Sequence, residues 1–307
     1  MNRVYTLEGF KVVECPPLKT GEIRIKPAGF GLNRLDLELM KRNPELPAGL
    51  EVAGTVSEVG PGVCTFMPGD RVMSLVRTGG FSESVVAEES CTLEVSKNLD
   101  LASAAALPES LFTIWLNLIR LGKAQNGETV LITGAAGGVG VHAALAARAL
   151  GMVPIVVSRS PYRLRQLEEL GFNRTALLND RCLGIDPETV DVIFDVLGPN
   201  MFQEYFSVLR KHGRIAMVDA LLGDASQVDF GLVFEKELSI TGSLLRPQSD
   251  EVKAQLREEL RAFVLPALMN EAISPVIGKA FSGFESLPEA IEFLRRGSAF
   301  GKVLVKA

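Results

Sequence analysis

The chain has 307 residues, 47 % of them apolar and 22 % charged, with a formal net charge of −5 at pH 7. That length allows about two domains with a sizeable core, and mild acidity leaves no basic footprint for a nucleic-acid partner. Four scattered cysteines, Cys15, Cys64, Cys91 and Cys182, form no C-x-x-C pair, which fits a reducing compartment and unpaired thiols. The opening MNRVYTLEGF carries no apolar signal core. Pro108 and Glu109 break the longest apolar run, so no bilayer span is expected and a cytoplasmic location follows.

Residues 1 to about 100 read as short strands and turns. Ile23 and Ile25 alternate with Glu22, Arg24 and Lys26, the period-two pattern of a half-buried strand. Glu51 to Val59 is β-prone and stops at Gly60-Pro61-Gly62. Pro68-Gly69-Asp70 turns the chain into a strand over Arg71 to Val76, and Gly79-Gly80 breaks it again. No helical pattern of convincing length precedes residue 101. A β-rich, barrel-like domain is expected.

From about residue 105 to 245 the pattern alternates between β and α. The stretch Thr129 to Gly151, TVLITGAAGGVGVHAALAARALG, organises this region. A strand over Thr129 to Thr133 feeds Gly134, Gly137, Gly138 and Gly140, and an alanine-rich helix follows. Strand, tight Gly turn and helix start aim backbone N–H groups at one point with no Cβ in the way, a geometry suited to a pyrophosphate. Further strands are expected at Val153 to Ser158, Ala176 to Leu178, Asp191 to Val196, Arg214 to Val218 and Leu238 to Ser243, the last at a sheet edge. Strands separated by helices imply a parallel sheet covered on both faces.

The tail returns to the first style. Val252, Leu256, Leu260, Phe263 and Val264 mark one face of a helix over Asp250 to Asn270. Ser286 and Glu289 have capping-box spacing for a short helix that Gly297 ends, and Gly301 to Val305 closes as a strand. This order inserts a doubly wound α/β domain (107–246) into a β-rich one (1–106 and 247–307).

GLNRLD (31–36), GLEVAGTVSEVGPGV (49–63), PGDRV (68–72), AAALPESLFTIW (104–115), GETVLITGAAGGVG (127–140), ITGSLLR (240–246) and GKVLV (301–305) occur in one order. On these motifs nearly the whole chain resembles the quinone oxidoreductases of the medium-chain dehydrogenase/reductase superfamily, the group that includes zeta-crystallin. The resemblance implies a GroES-like catalytic barrel split by a Rossmann domain, an NADPH cofactor and a homodimer paired along the Leu238 to Ser243 edge.

Alcohol dehydrogenases of that superfamily bind zinc through a Cys and the His of a Gly-His-Glu motif. Here the motif reads Gly49-Leu50-Glu51, and Asn33 stands near the Cys position. His142, on the helix after the Gly turn, and His212, on an expected loop before Arg214, fall in the nucleotide domain and read as structural. Without imidazole or clustered thiolate no tight zinc site is expected.

An NAD enzyme places an acid about twenty residues beyond the glycines to bond the ribose 2′-hydroxyl. Here the sequence is Ser158-Arg159-Ser160-Pro161-Tyr162-Arg163, with no acid. By resemblance, Ser160 and Arg163 hold a 2′-phosphate, and Arg159 adds a guanidinium that can fork onto it or stack on adenine. The resemblance also puts Asn33 and Thr113 near the nicotinamide and its ribose. It sets Gly137, Gly138 and Val139 against the pyrophosphate, Leu221, Leu244 and Leu245 along the cleft, and Lys302 near the cofactor. Glu51 reads as a buried structural carboxylate.

No Tyr or His stands close to Asn33 or Thr113 in sequence as an evident proton donor. Two departures from the family pattern stand out: a short KRNPELPA loop after Met40, and Leu178 where relatives place a cofactor-contacting Tyr. The implied activity is NADPH-dependent, zinc-independent reduction of a small-molecule quinone or α,β-unsaturated carbonyl. The alternatives are an enoyl-thioester reductase and a non-catalytic, crystallin-like NADPH-binding protein.

Overall fold

The chain opens with a hairpin, β1 (Asn2–Thr6) antiparallel to β2 (Gly9–Val13). The structure, a computed structural model, is described for residues 1–227 and 229–307. The long strand β3 (Glu22–Leu32) follows and buries Ile23 and Ile25 completely, as their alternation predicts. After it come α1 (Arg34–Arg42), β4 (Glu51–Val59), β5 (Arg71–Leu75), β6 (Val85–Glu88) and β7 (Thr92–Glu94).

Helix α1 corrects the expectation of no helix before residue 101. Its start signal is an Asn-x-x-Asp: the backbone N–H of Asn33 donates to the Asp36 carboxylate at 2.7 Å, the acidic half of a capping box. Met40 then buries in the core of this unit and Leu37 packs against that core. Nine residues are too few for a clear periodicity, so the cap carries the signal.

Packing divides the chain into two units, Met1–Phe112 with Gln248–Ala307, and Thr113–Pro247. Helix α2 (Pro108–Ile114) carries Pro108 at its start, where a missing N–H costs nothing, and runs into a π-helical turn over Trp115–Leu121.

The second unit is an α/β layer structure. Its elements are β8 (Thr129–Ile132), α3 (Gly138–Ala149), β9 (Val153–Ser158), α4 (Pro161–Glu169), β10 (Thr175–Leu177), β11 (Val190–Asp195), α5 (Phe202–Val208), β12 (Leu209–Met217), α6 (Gly231–Glu235) and β13 (Ser239–Gly242). The six strands lie in the order β10-β9-β8-β11-β12-β13 with every pairing parallel. From β8 the chain first winds outward to β9 and β10, then returns to β11 beside β8. The strand order therefore reverses between β8 and β11, and the crevice at their carboxyl ends is where such sheets bind ligands. Strand β13 is the edge.

His212 lies within β12, not on a loop. It takes a left-handed φ of 63° and donates its backbone N–H to Lys236 O at 2.6 Å. Its exposed imidazole faces Glu237 across 3.4 Å.

In the tail, α7 (Asp250–Phe263) and α8 (Leu265–Met269) replace the single expected helix. Pro266 has no N–H to extend the ladder, so the helix breaks at Val264. Phe263, expected on the buried face, is instead 58 % exposed at that break. Strand β14 (Ile277–Ser282), α9 (Leu287–Arg295) and β15 (Lys302–Lys306) finish the chain. Ser286 does not cap α9: it is already helical at φ −81°, and its hydroxyl donates back to Gly283 O at 2.7 Å. The first unit's sheet runs β14-β15-β3-β4-β5-β7 with β6 on β3, and all but the β14–β15 pair are antiparallel.

Candidate functional site

The glycines after β8 are fixed by what surrounds them. Gly134 takes φ +59°, and a Cβ there would lie 2.5 Å from Val196 Cγ2. At Gly140 a Cβ would lie 2.3 Å from Gly134 O, inside any allowed contact. Gly137 is the N-cap of α3, with Gly138 and Val139 as the helix's first residues, all three half-buried. A twelve-residue helix thus presents its positive end beside a turn without side chains. His142 is fully buried on the same helix.

At the next crossover, Ser160 caps α4 and accepts the backbone N–H of Arg163 at 3.4 Å. Arg159 is exposed and Arg163 half-buried at that helix start. The first acid beyond Ser158 is Glu168. Leu178 is buried in the hydrophobic core of this unit, so it contributes packing.

Beside the Gly turn, the last residue of β11 is a fully buried acid, Asp195. Its Oδ1 accepts the Tyr205 hydroxyl at 2.7 Å, the Leu197 N–H at 2.8 Å and the Thr133 hydroxyl at 3.2 Å; its Oδ2 accepts the Gly198 N–H at 3.0 Å. Burial pushes the Asp195 carboxyl above its ordinary range, and these four donors pull against that shift. Burial, with the neighbouring Asp195 charge, also pushes the Tyr205 hydroxyl up. Leu221, 41 % exposed, is tied to this region through its N–H on Val196 O at 3.1 Å.

Asn117, in the π-helical turn, donates to Thr113 O at 2.9 Å and accepts the Ser243 hydroxyl at 2.9 Å. It therefore links Thr113 to the segment carrying Leu244 and Leu245. Leu244 is 71 % exposed, whereas Leu245 is buried.

In the first unit, Asn33, Glu51 and Lys302 form one buried cluster. The Lys302 ammonium donates to Asn33 Oδ1 at 2.6 Å and pairs with Glu51 Oε1. Asn33 Nδ2 donates to the same Glu51 oxygen at 2.9 Å, and the Glu109 N–H donates to Glu51 Oε2 at 2.9 Å. Asp36 lies in this cluster with Oδ1 lacking any hydrogen-bond partner. Burial, then the Glu51 charge, pushes its carboxyl up to about 8, against the Asn33 N–H that lowers it. A neutral Asp36 leaves the Glu51–Lys302 pair balanced.

Asn33 and Lys302 thus come together although 269 residues separate them. Gly137 to Val139 form one helix start, and Arg159, Ser160 and Arg163 form another. Sequence reasoning missed Asp36, Asn117, Thr133, Asp195 and Tyr205 as site residues. Only Asp36 had a readable signal, its spacing from Asn33.

Two family descriptions match the chain. "Alcohol dehydrogenase GroES-like domain" covers residues 19–97 and "Zinc-binding dehydrogenase" covers 138–261. The chain belongs to the medium-chain dehydrogenase/reductase superfamily, a class of oxidoreductases, with quinone oxidoreductases among its relatives. It is 27 % identical to a quinone oxidoreductase-like protein 2 homolog of Nematostella vectensis, over 94 % of this chain and 82 % of that protein. It is also 27 % identical to a probable quinone oxidoreductase of Leishmania amazonensis, over 93 % of this chain and 89 % of that protein. Identity reaches 31 % with a putative inactive phenolphthiocerol synthesis polyketide synthase of Mycobacterium tuberculosis, over 73 % of this chain but 15 % of that protein.

Among solved structures, an NAD-dependent alcohol dehydrogenase superposes with a TM-score of 0.82 at 26 % identity, over all of both chains. A mycobacterial protein complexed with NADPH gives a TM-score of 0.82 at 23 % identity, over all of both chains. The CurK enoyl reductase gives 0.81 at 23 % identity, over 99 % of each chain. The family and the Gly turn together establish a nicotinamide-dinucleotide fold. Among the described residues no helix is long and apolar enough to cross a membrane.

Zinc, which one family description names, does not fit the donors present. Leu50 is a buried hydrocarbon and the Asn33 amide is spent on Glu51 and Lys302. Among the described residues no three of His, Cys, Asp and Glu gather as a metal site.

Proposed function

We propose that the chain is an NADPH-dependent, zinc-independent reductase of quinones or α,β-unsaturated carbonyls. The observation that carries this reading is the Gly turn at the β8–β11 crevice, followed one crossover later by a helix start that bears Arg159 and Arg163 and no acid. Gly137, Gly138 and Val139 receive the pyrophosphate. Ser160, Arg163 and Arg159 receive the 2′-phosphate. A cation at a helix N-terminus opposes the macrodipole, and a bound phosphate removes that conflict.

When bound, the reduced nicotinamide supplies a hydride. On the second unit, Thr113, Leu221, Leu244 and Leu245 contribute its orientation. Positioning and exclusion of bulk water are then the protein's share, with solvent completing protonation. On this reading Met1–Phe112 with Gln248–Ala307 is the catalytic unit and Thr113–Pro247 the cofactor unit.

A second reading, reduction of an enoyl thioester, is supported by the 31 % identity to a polyketide synthase segment. Following NADPH oxidation with quinones, enones and enoyl thioesters separates the two. Binding of NADPH without turnover of any of them supports instead a crystallin-like binding protein. We also propose a cytoplasmic homodimer in which β13, the edge strand, pairs across a two-fold axis.

A further inference from the structure

Thr133 and Asp195 face each other across the point where the strand order reverses. Thr133 is the first residue beyond β8, and Asp195 is the last residue of β11. The Thr133 hydroxyl reaches Asp195 Oδ1 at 3.2 Å and Phe194 O at 3.4 Å, and it accepts the Val196 N–H at 2.9 Å. Tyr205, fully buried on α5, holds the same carboxylate from behind at 2.7 Å. The carboxylate's remaining contacts are the N–H groups of Leu197 and Gly198.

This network ties together the two backbones that flank the crevice. On one side it fixes Thr133, and through it Gly134, whose backbone lies too close to Val196 for any Cβ. On the other it fixes Asp195 and the 196–198 turn, which in turn bond residues beyond β12. The Val218 N–H donates to Asp195 O at 2.7 Å, Leu221 N–H to Val196 O at 3.1 Å and Leu222 N–H to Leu197 O at 2.9 Å. A buried carboxylate is costly unless it is hydrogen-bonded, and Asp195 accepts four such bonds. Here the engagement falls on the crevice, not on distant packing.

We propose that Thr133, Asp195 and Tyr205 are positioning residues that set the spacing between the Gly turn and the 196–198 turn, and so fix the nicotinamide half of a bound dinucleotide. The inference rests on the dinucleotide reading of this unit. It concerns the half of the ligand that crosses from β8 to β11, since the adenosine end is met at the start of α4, outside the network.

The test uses the full chain with Thr133→Val, Thr133→Ser and Tyr205→Phe. Affinity is measured by fluorescence titration for whichever nicotinamide dinucleotide the wild type binds more tightly. The matching adenosine fragment, 2′,5′-ADP for NADPH or 5′-AMP for NADH, is titrated by calorimetry. Thr133→Val and Tyr205→Phe are expected to weaken the dinucleotide about tenfold, the scale of one hydrogen bond to a charged group, while the fragment binds as in wild type. Thr133→Ser, which keeps the hydroxyl, is expected to restore binding. Unchanged dinucleotide affinity in both weakened variants overturns the inference, as does equal loss of dinucleotide and fragment, the mark of general destabilisation. A wild type that binds neither dinucleotide overturns the cofactor reading itself.

Discussion

The Lys302 ammonium sits 2.6 Å from Asn33 Oδ1, joining the final strand of the first unit to the cap of its first helix. The same ammonium pairs with Glu51, and all three side chains are buried. Removing one partner leaves a buried charge uncompensated. Lys302→Met is therefore expected to destabilise the protein by about 3–5 kcal/mol. Lys302→Met with Glu51→Gln is expected to recover part of that loss. Urea unfolding of the three proteins checks it.

Asp36 gives stability a definite pH dependence. Its folded carboxyl keeps its proton up to about 8, whereas the ordinary value is 3.8. Between those values the folded state binds more protons than the unfolded state, so stability falls as pH rises through this window and levels off above it. Asp36→Asn removes the titration. Its thermal midpoint is expected to gain on wild type as pH goes from 5 to about 8, and a constant difference across that range contradicts the assignment.

Arg163 distinguishes the two nicotinamide dinucleotides. If its guanidinium holds the 2′-phosphate, Arg163→Ala loses a charged hydrogen bond of about 1.5–3 kcal/mol, roughly ten- to a hundredfold in affinity for NADPH. NADH binding is expected to change little. Parallel titrations of both dinucleotides decide, and equal losses remove the assignment.

The edge strand β13 predicts a dimer. Light scattering at micromolar concentration is expected to give twice the chain mass of 33.1 kDa. A monomer at that concentration removes the proposed pairing.

Much of the second unit was legible because its signals are local. The Gly turn reads directly, and the strand Val153 to Ser158 has the ends that its β-branched run predicts. The first unit was legible where alternation was strong, as in Ile23 and Ile25. Helix α1 was not, since its evidence is one Asn-x-x-Asp cap and its side chains are mostly polar. The Asn33–Glu51–Lys302 cluster and the Asp195 network depend on pairing strands distant in sequence, which no local pattern encodes. Pro266 was visible in the sequence, and its break in the tail helix follows from its missing N–H.

The most direct test of the central claim is a titration of the wild-type chain with NADPH and with NADH under identical conditions. NADPH is expected to bind at least about tenfold more tightly, the value of one charge-assisted hydrogen bond to the extra phosphate. Equal affinities, tighter binding of NADH, or no binding of either contradict it.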